Sequence, residues 1–493
     1  MINFFRKHDK IKISSFIVLI ILIFLRLYNK SFYDDEIGSI QIIDKFTNII
    51  DLYFYVNNWD VSPPLSYILF YLGKLLFSYK YAPLILLPIQ VVCINIFLKY
   101  SQTYIENNLL VRNFYKISII CNPIFILWCT SLRWYSLWVP LALSVIGIFY
   151  FKKNIKFKDI TVILLIVTVM FHVNYLTIIF LLSLILSNHK IFINYLFKCR
   201  VSVFLLFMIN LPQLYFFFTQ HFFSSQGQFG DLYFSFIYPL ITIFFGNSFL
   251  PFEYISIFYF LLIVIILFYN LNNPLFIKSL INFKKIIIFS LIYFLFLFLL
   301  KLGHKPRHSI ILNYLFYFFI FFNLTYLHNK FIKNIFLFIF MLIILLGNKN
   351  NILEENVIKN NINLPIKKIL NIINDSNQSC LIKYVFTYNL NIKYYLKNDK
   401  TIILNNKKII APTDLNKKCI YVIKTFPLPK LLVIKGENRY EINTVDKMFN
   451  EYKEELKLIT IEYDKFNTLK TYLFKKRIKN EFIVKILYHE IDD

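Results

Sequence analysis

Three acidic residues stand side by side soon after the first apolar run of the chain: Asp34, Asp35 and Glu36. Neighbouring carboxylates repel each other and lose hydration beside a membrane, so such a group needs a partner or a task. A solvated loop start would give the same pattern, because loops at the ends of spans are often charged. The functional interpretation is a general base, and the carboxylate oxygens also suit a divalent cation, Mg²⁺ or Mn²⁺, at Asp35 and Glu36.

Basic residues lie at the predicted ends of two other apolar runs. The first is Arg133, and the second group is Lys305 and Arg307 with His304 beside them. Arginine binds phosphate oxygens with two parallel hydrogen bonds, and lysine adds a compact positive charge. These residues predict an anion site, although an arginine that snorkels towards water or a simple charged turn would look the same.

Several polar residues near these groups are candidates for substrate contacts. Asp60 lies just before a Ser-Pro-Pro-Leu stretch (62–65). A helix start with proline in its first turn would by itself explain this stretch. Another candidate is a histidine at a predicted outer turn, where a lone histidine more often has no function. The candidates are Asp60, Tyr135, His172, Tyr175 and His304.

The composition predicts a membrane protein. Hydrophobic residues make up 58% of the 493 residues and charged residues 17%, whereas a soluble domain has about 25% charged residues. The apolar residues are collected in uncharged runs, and a helix of roughly 20 such residues crosses a bilayer. The net charge of +26 falls mainly between these runs and in the last third. Without a nucleic-acid-binding motif, this charge indicates membrane topology rather than a nucleic-acid partner.

The runs predict eleven transmembrane helices, within a range of ten to thirteen. They lie near residues 13–28, 81–98, 114–130, 135–151, 159–171, 174–187, 201–217, 252–270, 286–300, 309–326 and 334–347. The chain is predicted to lie in the plasma (inner) membrane. Lysine and arginine are concentrated in alternate loops, including 152–158 and 271–285, and these loops are therefore predicted to face the cytoplasm. Loops 29–80 and 218–235 and the C-terminal tail are then outside, and the first helix is not cleaved as a signal peptide.

The predicted fold is an all-α polytopic membrane domain with a small C-terminal α/β extracytoplasmic domain. The membrane domain is residues 1–347, a polar linker is 348–363, and the α/β domain is 364–493. Helical patterns at 365–374 and 443–456 alternate with short β-rich runs, which supports the last assignment. The β-rich runs are 380–386, 401–404, 419–424, 431–434 and 458–463.

The first outer loop, 29–80, is predicted to be structured. Apolar residues recur at helical spacing over 37–54. The apolar stretch Pro64 to Phe77 is too short to cross a membrane. Both segments are therefore predicted to be helices that lie on the outer leaflet.

The six cysteines have no CxxC spacing, which argues against a structural zinc site. Cys380 and Cys419 are the cysteines of the tail, and each begins a β-rich run. If these strands are parallel neighbours in register, the two sulfurs come within bonding range and a disulfide is predicted. Two reduced cysteines in separate strands are the alternative.

The order of these features resembles that of the GT-C membrane glycosyltransferases. The closest branch is the protein O-mannosyltransferase-like group, which includes the aminoarabinose transferases of lipid A. The resemblance extends to about residue 330 and departs at Ser62, where the family usually has histidine. The matching elements are Asp35-Glu36, the Pro-Pro-Leu stretch 60–65, Arg133-Trp134-Tyr135 and Arg307.

The resemblance implies transfer of a sugar from a polyprenyl-phosphate-sugar donor to a hydroxyl of a lipid, glycan or protein acceptor at the outer face of the bilayer. Asp35 would deprotonate the acceptor, with Asp34 and Glu36 beside it, and the sugar would be inverted. The departing polyprenyl phosphate would be neutralised by Arg133, Lys305 and Arg307. The protein's task is then mainly positioning and electrostatic stabilisation.

Two other functions are open from the residues alone. A transporter or flippase of lipid-linked sugars would explain the spans, but these spans contain almost no buried charge. A polymerase or ligase of lipid-linked glycans would use outer-loop arginine, but the loop 301–308 is short for that role. A structured first loop and a soluble tail favour the transferase.

Overall fold

The protein is described by a computed structural model. The described residues are 10–29, 34–59, 62–105, 108–198, 200–222, 264, 267–300, 302 and 306–352, and the strand segments 380–384, 401–404, 419–425, 457–463 and 482–488. Contacts between residues divide the chain into two compact units, 1–30 with 39–352 and 31–38 with 353–493. Residues 31–38 were predicted to belong to the membrane domain, 1–347, whereas the contacts group them with the second unit.

Most of the described helices overlap predicted apolar runs, but helices also form at 189–198 and 274–282, between predicted spans. The described helices are α1 (Lys10–Asn29), α2 (Asp34–Asp44), α3 (Ile49–Trp59), α4 (Leu65–Leu76), α5 (Leu87–Ser101), α6 (Leu109–Ile120), α7 (Pro123–Cys129), α8 (Tyr135–Ile146), α9 (Phe157–Phe171), α10 (Leu176–Ser187), α11 (His189–Lys198), α12 (Arg200–Phe216), α13 (Pro274–Asn282), α14 (Lys284–Leu299), α15 (Ile310–Thr325) and α16 (Lys330–Ile352). A 3-10 turn, Ala82–Leu86, leads into α5, and a π-helical turn, Gly147–Phe151, extends α8.

Asparagine side chains set the start of several helices. Asn122 accepts hydrogen bonds from the backbone N–H groups of Ile124 and Phe125, at 3.0 and 3.3 Å. Asn108 does the same for Val111, and Asn273 caps α13. Each cap satisfies a backbone donor that has no partner within its own helix.

Six of the described helical segments are long and apolar enough to cross a membrane, or up to eight if two bent helix pairs each count as one span. Among them, α15 is mostly buried by other helices, whereas α12 is mostly exposed. This contrast places α15 in the core and α12 at the lipid-facing surface. Most of predicted span 252–270 lies outside the described residues, and a total of eleven spans stays a prediction.

Helix α16 reaches the break between α6 and α7. The carbonyl of Cys121 at this break accepts a hydrogen bond of 2.8 Å from Asn348, which is buried. Helix α16 continues through Ile352, so the first residues of the predicted 348–363 linker are helical, and Asn348 among them contacts the break between α6 and α7. The rest of that linker lies outside the described residues.

The described part of residues 29–80, the predicted first outer loop, contains three helices rather than two. The helical pattern predicted for 37–54 is interrupted at 45–48, where Asn48 caps α3 through the N–H of Ile50 at 2.9 Å. The predicted helix at Pro64 to Phe77 is confirmed as α4. The ion pair of Lys74 with Asp44, at 2.5 Å, joins α4 to the end of α2.

Helix α8 packs closely against α5, and specific contacts hold the two helices together near both ends of α8. Near one end of α8, the buried Gln90 side chain of α5 donates to the carbonyls of Cys129 and Ser136, at 3.2 and 3.0 Å. Just beyond the other end, a methyl group on Gly147 would lie 2.8 Å from the Cα of Phe97. A side chain at Gly147 would therefore push the two helices apart.

The described part of the second unit includes a five-stranded mixed sheet. Its strands are β1 (Cys380–Tyr384), β2 (Thr401–Leu404), β3 (Cys419–Thr425), β4 (Lys457–Tyr463) and β5 (Phe482–Tyr488), in the order β2-β1-β3-β5-β4. β1 is parallel to β2 and β3, while β5 is antiparallel to β3 and β4. Four strands start or lie within predicted β-rich runs. β5 was not predicted, and the run 431–434 and both predicted helical patterns lie outside the described residues.

The register of β1 and β3 bears directly on the predicted disulfide. Cys380 and Cys419 are Cα partners in neighbouring parallel strands, where facing Cα atoms are about 4.8 Å apart. This satisfies the backbone requirement that was stated from the sequence. The side chains of both cysteines lie outside the described residues, so the bond itself stays a prediction.

We expect thiol titration of native membranes to find Cys380 and Cys419 protected until a reductant is added. Cys380→Ser should expose the thiol of Cys419 without reductant, because its partner is gone. Loss of the bond should lower the free energy of unfolding of this unit by roughly 3–4 kcal/mol. Labelling of both thiols in the unreduced, unsubstituted protein would contradict the pairing.

Candidate active site

Arg133 links the first outer loop to the start of α8. Its guanidinium donates to Ser39 Oγ at 3.2 Å and to the Tyr67 hydroxyl at 3.3 Å. Ser39 belongs to α2, and Tyr67 belongs to α4, the helix that the Pro-Pro-Leu stretch begins. Both partners are neutral, so the positive charge of Arg133 is not cancelled by these two contacts.

The backbone around Arg133 is held in place from several sides. Ser136 Oγ donates to the Arg133 carbonyl at 2.7 Å. Ser131 Oγ and the Tyr135 hydroxyl are 3.2 Å apart. Gln90 also donates to the carbonyls of Cys129, before the turn between α7 and α8, and of Ser136, after it. The turn therefore holds the backbone of Arg133 in a fixed position.

The segment before α15 is attached to the same turn. The ring of His308 lies 5.7 Å from that of Trp134, between centroids. The guanidinium carbon of Arg307 lies 5.7 Å from the centre of the Tyr135 ring, a cation–π contact. The His308 carbonyl accepts a hydrogen bond of 3.0 Å from the buried Tyr293, which fixes the segment from the other side.

The structure therefore brings two of the predicted basic residues to one place. Arg133 precedes Tyr135 by two residues, and Arg307 lies over the Tyr135 ring. Both arginines are half-buried, where a charge interacts with an anion more strongly than it does in water. This arrangement suits a phosphate group that approaches the end of α8. Lys305, His304 and Asp60 lie outside the described residues.

The acidic cluster forms the first turn of α2. Glu36 is fully buried, whereas the side chains of Asp34 and Asp35 lie outside the described residues. Carboxylates at this position are favoured by the positive end of the helix dipole. The side chains that the structure describes contain no cluster of three or more His, Cys, Asp or Glu residues suited to a metal ion, so Mg²⁺ or Mn²⁺ at Asp35 and Glu36 stays a prediction.

A second polar cluster lies where α3, α12 and the turn before α10 meet. Gln213 of α12 is fully buried. It accepts a hydrogen bond of 3.2 Å from the Tyr175 hydroxyl and donates to Asn57 Oδ1 at 3.0 Å and to the Tyr53 hydroxyl at 3.3 Å. Tyr175 was predicted as a site residue, but Gln213, Tyr53 and Asn57 were not. The available signal was a polar amide within an apolar span, which marks a functional candidate.

His172 lies at the edge of this cluster and is tied to the Pro-Pro-Leu stretch. Its carbonyl accepts a hydrogen bond of 3.2 Å from the N–H of Leu65. Its Nε2 is buried and has no hydrogen-bond partner among the described residues. Burial lowers the pKa of His172, and a hydrogen bond to the backbone of Ile209 raises it by less. The neutral ring is therefore the favoured form in the folded protein.

Among known proteins, this chain is similar to solved structures but not to family models or curated sequences. The chain matches no family model and no curated protein sequence. Two solved structures are similar: the crystal structures of ArnT from Cupriavidus metallidurans in the apo state and bound to undecaprenyl phosphate. Each is 10% identical and covers 96% of this chain and 97% of that chain, with TM-scores of 0.49 and 0.50. The second comparison shows that the chain shares the fold of ArnT, which confirms the resemblance for the fold.

The lowered pKa of His172 predicts how stability changes with pH. Below the unfolded pKa of about 6.5, the unfolded chain binds a proton that the folded chain binds less readily, so stability falls as the pH falls. We expect His172→Gln to reduce the loss of melting temperature between pH 7.5 and pH 5.5.

Tyr175→Phe is the matched control, because it removes a hydroxyl from the same cluster without removing a group that titrates in this range. It should lower the melting temperature to a similar extent at both pH values. An unchanged pH dependence in His172→Gln would show that this histidine does not contribute.

Proposed function

We propose that the protein transfers a sugar from a polyprenyl-phosphate-linked donor to an acceptor hydroxyl at one membrane surface. The observation that carries this proposal is the pair of half-buried arginines near Tyr135: Arg133, two residues before it in the chain, and Arg307, over its ring. The fold supports it, since the ArnT structure of the same fold was solved with undecaprenyl phosphate bound.

The donor phosphate is proposed to lie between the two guanidinium groups. Arginine offers several N–H donors in a fixed plane, which fits the oxygens of a phosphate. The leaving polyprenyl phosphate is an anion, so two fixed positive charges stabilise the charge that develops as the glycosidic bond breaks. Lys305 would add a third charge from the loop before Arg307.

Asp35 is the proposed base. Asp35-Glu36 matches the acidic pair of the GT-C glycosyltransferases that the sequence resembles, and Asp34 stands outside this pair. The resemblance therefore favours Asp35 over Asp34. The Asp35 carboxylate would take the proton of the acceptor hydroxyl as the oxygen attacks the anomeric carbon, and the phosphate would leave with the bonding electrons.

The Gln213 cluster is a proposed subsite for neutral hydroxyl groups of the sugar or acceptor. Tyr53, Asn57 and Tyr175 offer uncharged donors and acceptors. Asn57 Nδ2 is buried without a partner among the described residues, so it could donate to a hydroxyl group of a ligand. His172, neutral at physiological pH, would contribute in the same way. If a divalent cation binds at Asp35 and Glu36, it would supply additional positive charge near the acceptor.

Removal of either arginine is expected to impair use of the donor more than use of the acceptor. Arg133→Ala and Arg307→Ala should each reduce kcat/KM for the lipid donor by roughly 10–100-fold, since a lost charge-assisted hydrogen bond costs about 1.5–3 kcal/mol. Arg307→Lys should recover only part of the activity, because lysine lacks the planar fork.

The measurement is transfer of radiolabelled sugar in proteoliposomes, with donor and acceptor varied separately. Lys278→Gln, a charge removed from an exposed position on α13, is the control and should behave like the unsubstituted protein. Equal changes in donor and acceptor dependence would contradict a phosphate role for these arginines.

Replacement of the base should abolish transfer while the protein remains folded. Asp35→Asn keeps the shape of the side chain but cannot accept a proton at neutral pH. Asp34→Asn is the matched control one position away and should be milder. Equal loss in both variants would indicate a shared metal site, and full activity of Asp35→Asn would rule out the assignment.

A further inference from the structure

A cavity lies at the far end of α8 from Arg133. The twelve residues of α8 and the five of the π-helical turn run without interruption from Tyr135 to Phe151. At 1.5 Å per residue this stretch is about 25 Å long. The cavity next to Phe151 is therefore at the opposite membrane surface from the candidate active site.

The cavity is large enough for a small charged group. Its volume is about 490 Å³. The residues that line it include Tyr100, Phe151, Lys152, Lys153, Lys156 and Lys158. Two aromatic rings and four lysines thus surround one space.

The charge of this segment is not balanced within it. Residues 152–159 contain four lysines and one aspartate, a net charge of +3. Asp159 is buried and already accepts two hydrogen bonds, from Lys152 Nζ at 2.7 Å and from the backbone N–H of Lys156 at 2.8 Å. The positive charge of Lys153, Lys156 and Lys158, which are exposed, is available to an anion.

The aromatic walls hold the segment in place. Lys152 Nζ lies 5.9 Å from the centre of the Tyr100 ring, and Lys99 Nζ lies 5.5 Å from it on the same helix. The Phe151 ring is buried and packs on the rings of Phe97 and Phe318. The cavity therefore has a packed aromatic wall, and three of its four lysines are exposed.

An apolar stripe begins immediately beside the lysines. On α9, Phe157, Val162, Leu165 and Val169 are exposed at 45%, 44%, 49% and 40%. Val162, Leu165 and Val169 recur at spacings of three and four residues and so form one strip along the helix, while Phe157 is the first residue of α9 and lies beside the lysines in the chain. Lys198 Nζ lies 4.8 Å from the centre of the Phe157 ring, which adds a cation at the start of the helix.

We propose that this cavity binds the phosphate headgroup of an anionic glycerophospholipid whose acyl chains lie along the α9 strip. A lipid satisfies both observations at once, because its phosphate matches the lysines and its chains match the exposed apolar residues. A free phosphate ion would use the lysines but leave the strip without a role. Scattered lysines that serve only to orient the protein would need neither the cavity nor the strip.

The test uses the full-length protein in detergent, with phosphatidylglycerol, phosphatidylcholine and inorganic phosphate as three separate probes. Native mass spectrometry counts the retained lipid, and the melting temperature reports stabilisation by each probe. The variant is Lys153→Gln/Lys156→Gln/Lys158→Gln. The matched control is Lys278→Gln/Lys284→Gln/Lys285→Gln, which removes the same charge from exposed positions on α13 and α14.

We expect phosphatidylglycerol to bind and stabilise the protein, and the cavity variant to lose on the order of 100-fold in affinity, from about 1 kcal/mol for each lysine. The control variant and a triple Lys→Arg variant of the cavity should retain binding. If the Gln variant does not fold, the single substitutions should each weaken binding about 5-fold.

Equal loss in the cavity and control variants would overturn the proposal, because binding would then depend on overall charge. Equal stabilisation by inorganic phosphate, or by phosphatidylcholine, would also overturn it, since neither combines an anionic group with the acyl chains.

Discussion

A polar side chain inside a bilayer must find its hydrogen bonds within the protein, because the lipid chains offer none. The structure repeatedly uses this constraint to fix one helix against another. Gln90 joins α5 to both sides of the turn before α8, Asn348 joins α16 to the break after α6, and Gln213 joins α12 to the first outer loop. Apolar contacts with lipid do not determine how a helix is rotated about its own axis. Hydrogen bonds from these buried amide side chains do, because each bond requires its partner at one position.

The same constraint determines where charge appears. Arg133 and Arg307 are held at one end of the helix that runs from Tyr135 to Phe151, and the lysines after Lys152 stand at the other end. One surface thus combines fixed guanidinium groups with a structured loop, as a site of chemistry requires. The other surface has exposed lysines around a cavity. Such lysines suit the binding of an anionic group, which requires less exact positioning than a chemical reaction does.

Sequence patterns predicted a multi-spanning helical protein and α4, because apolar periodicity and proline act locally. The parallel register of β1 and β3 was only one of two alternatives from the sequence, since it depends on residues that are distant in the chain. The patterns failed where the outcome depends on distant partners. The interruption at 45–48 was missed because apolar spacing continues across it, and β5 was missed although its residues Phe482 to Tyr488 are mostly apolar. Within the site, the arginines were predicted from their charge. Gln213 was not predicted, although an amide within an apolar span was a signal for it; its partners Tyr53, Asn57 and Tyr175 are distant from it in the chain.

Arg133 and Arg307 are proposed to hold a polyprenyl phosphate at the start of α8. The most direct test of this proposal is an experimental structure of the protein with undecaprenyl phosphate bound. We expect density for the phosphate within about 3 Å of N–H donors of both guanidinium groups, beside Tyr135. Phosphate density that contacts neither arginine, or that lies only in the lysine-lined cavity at the opposite surface, would contradict it.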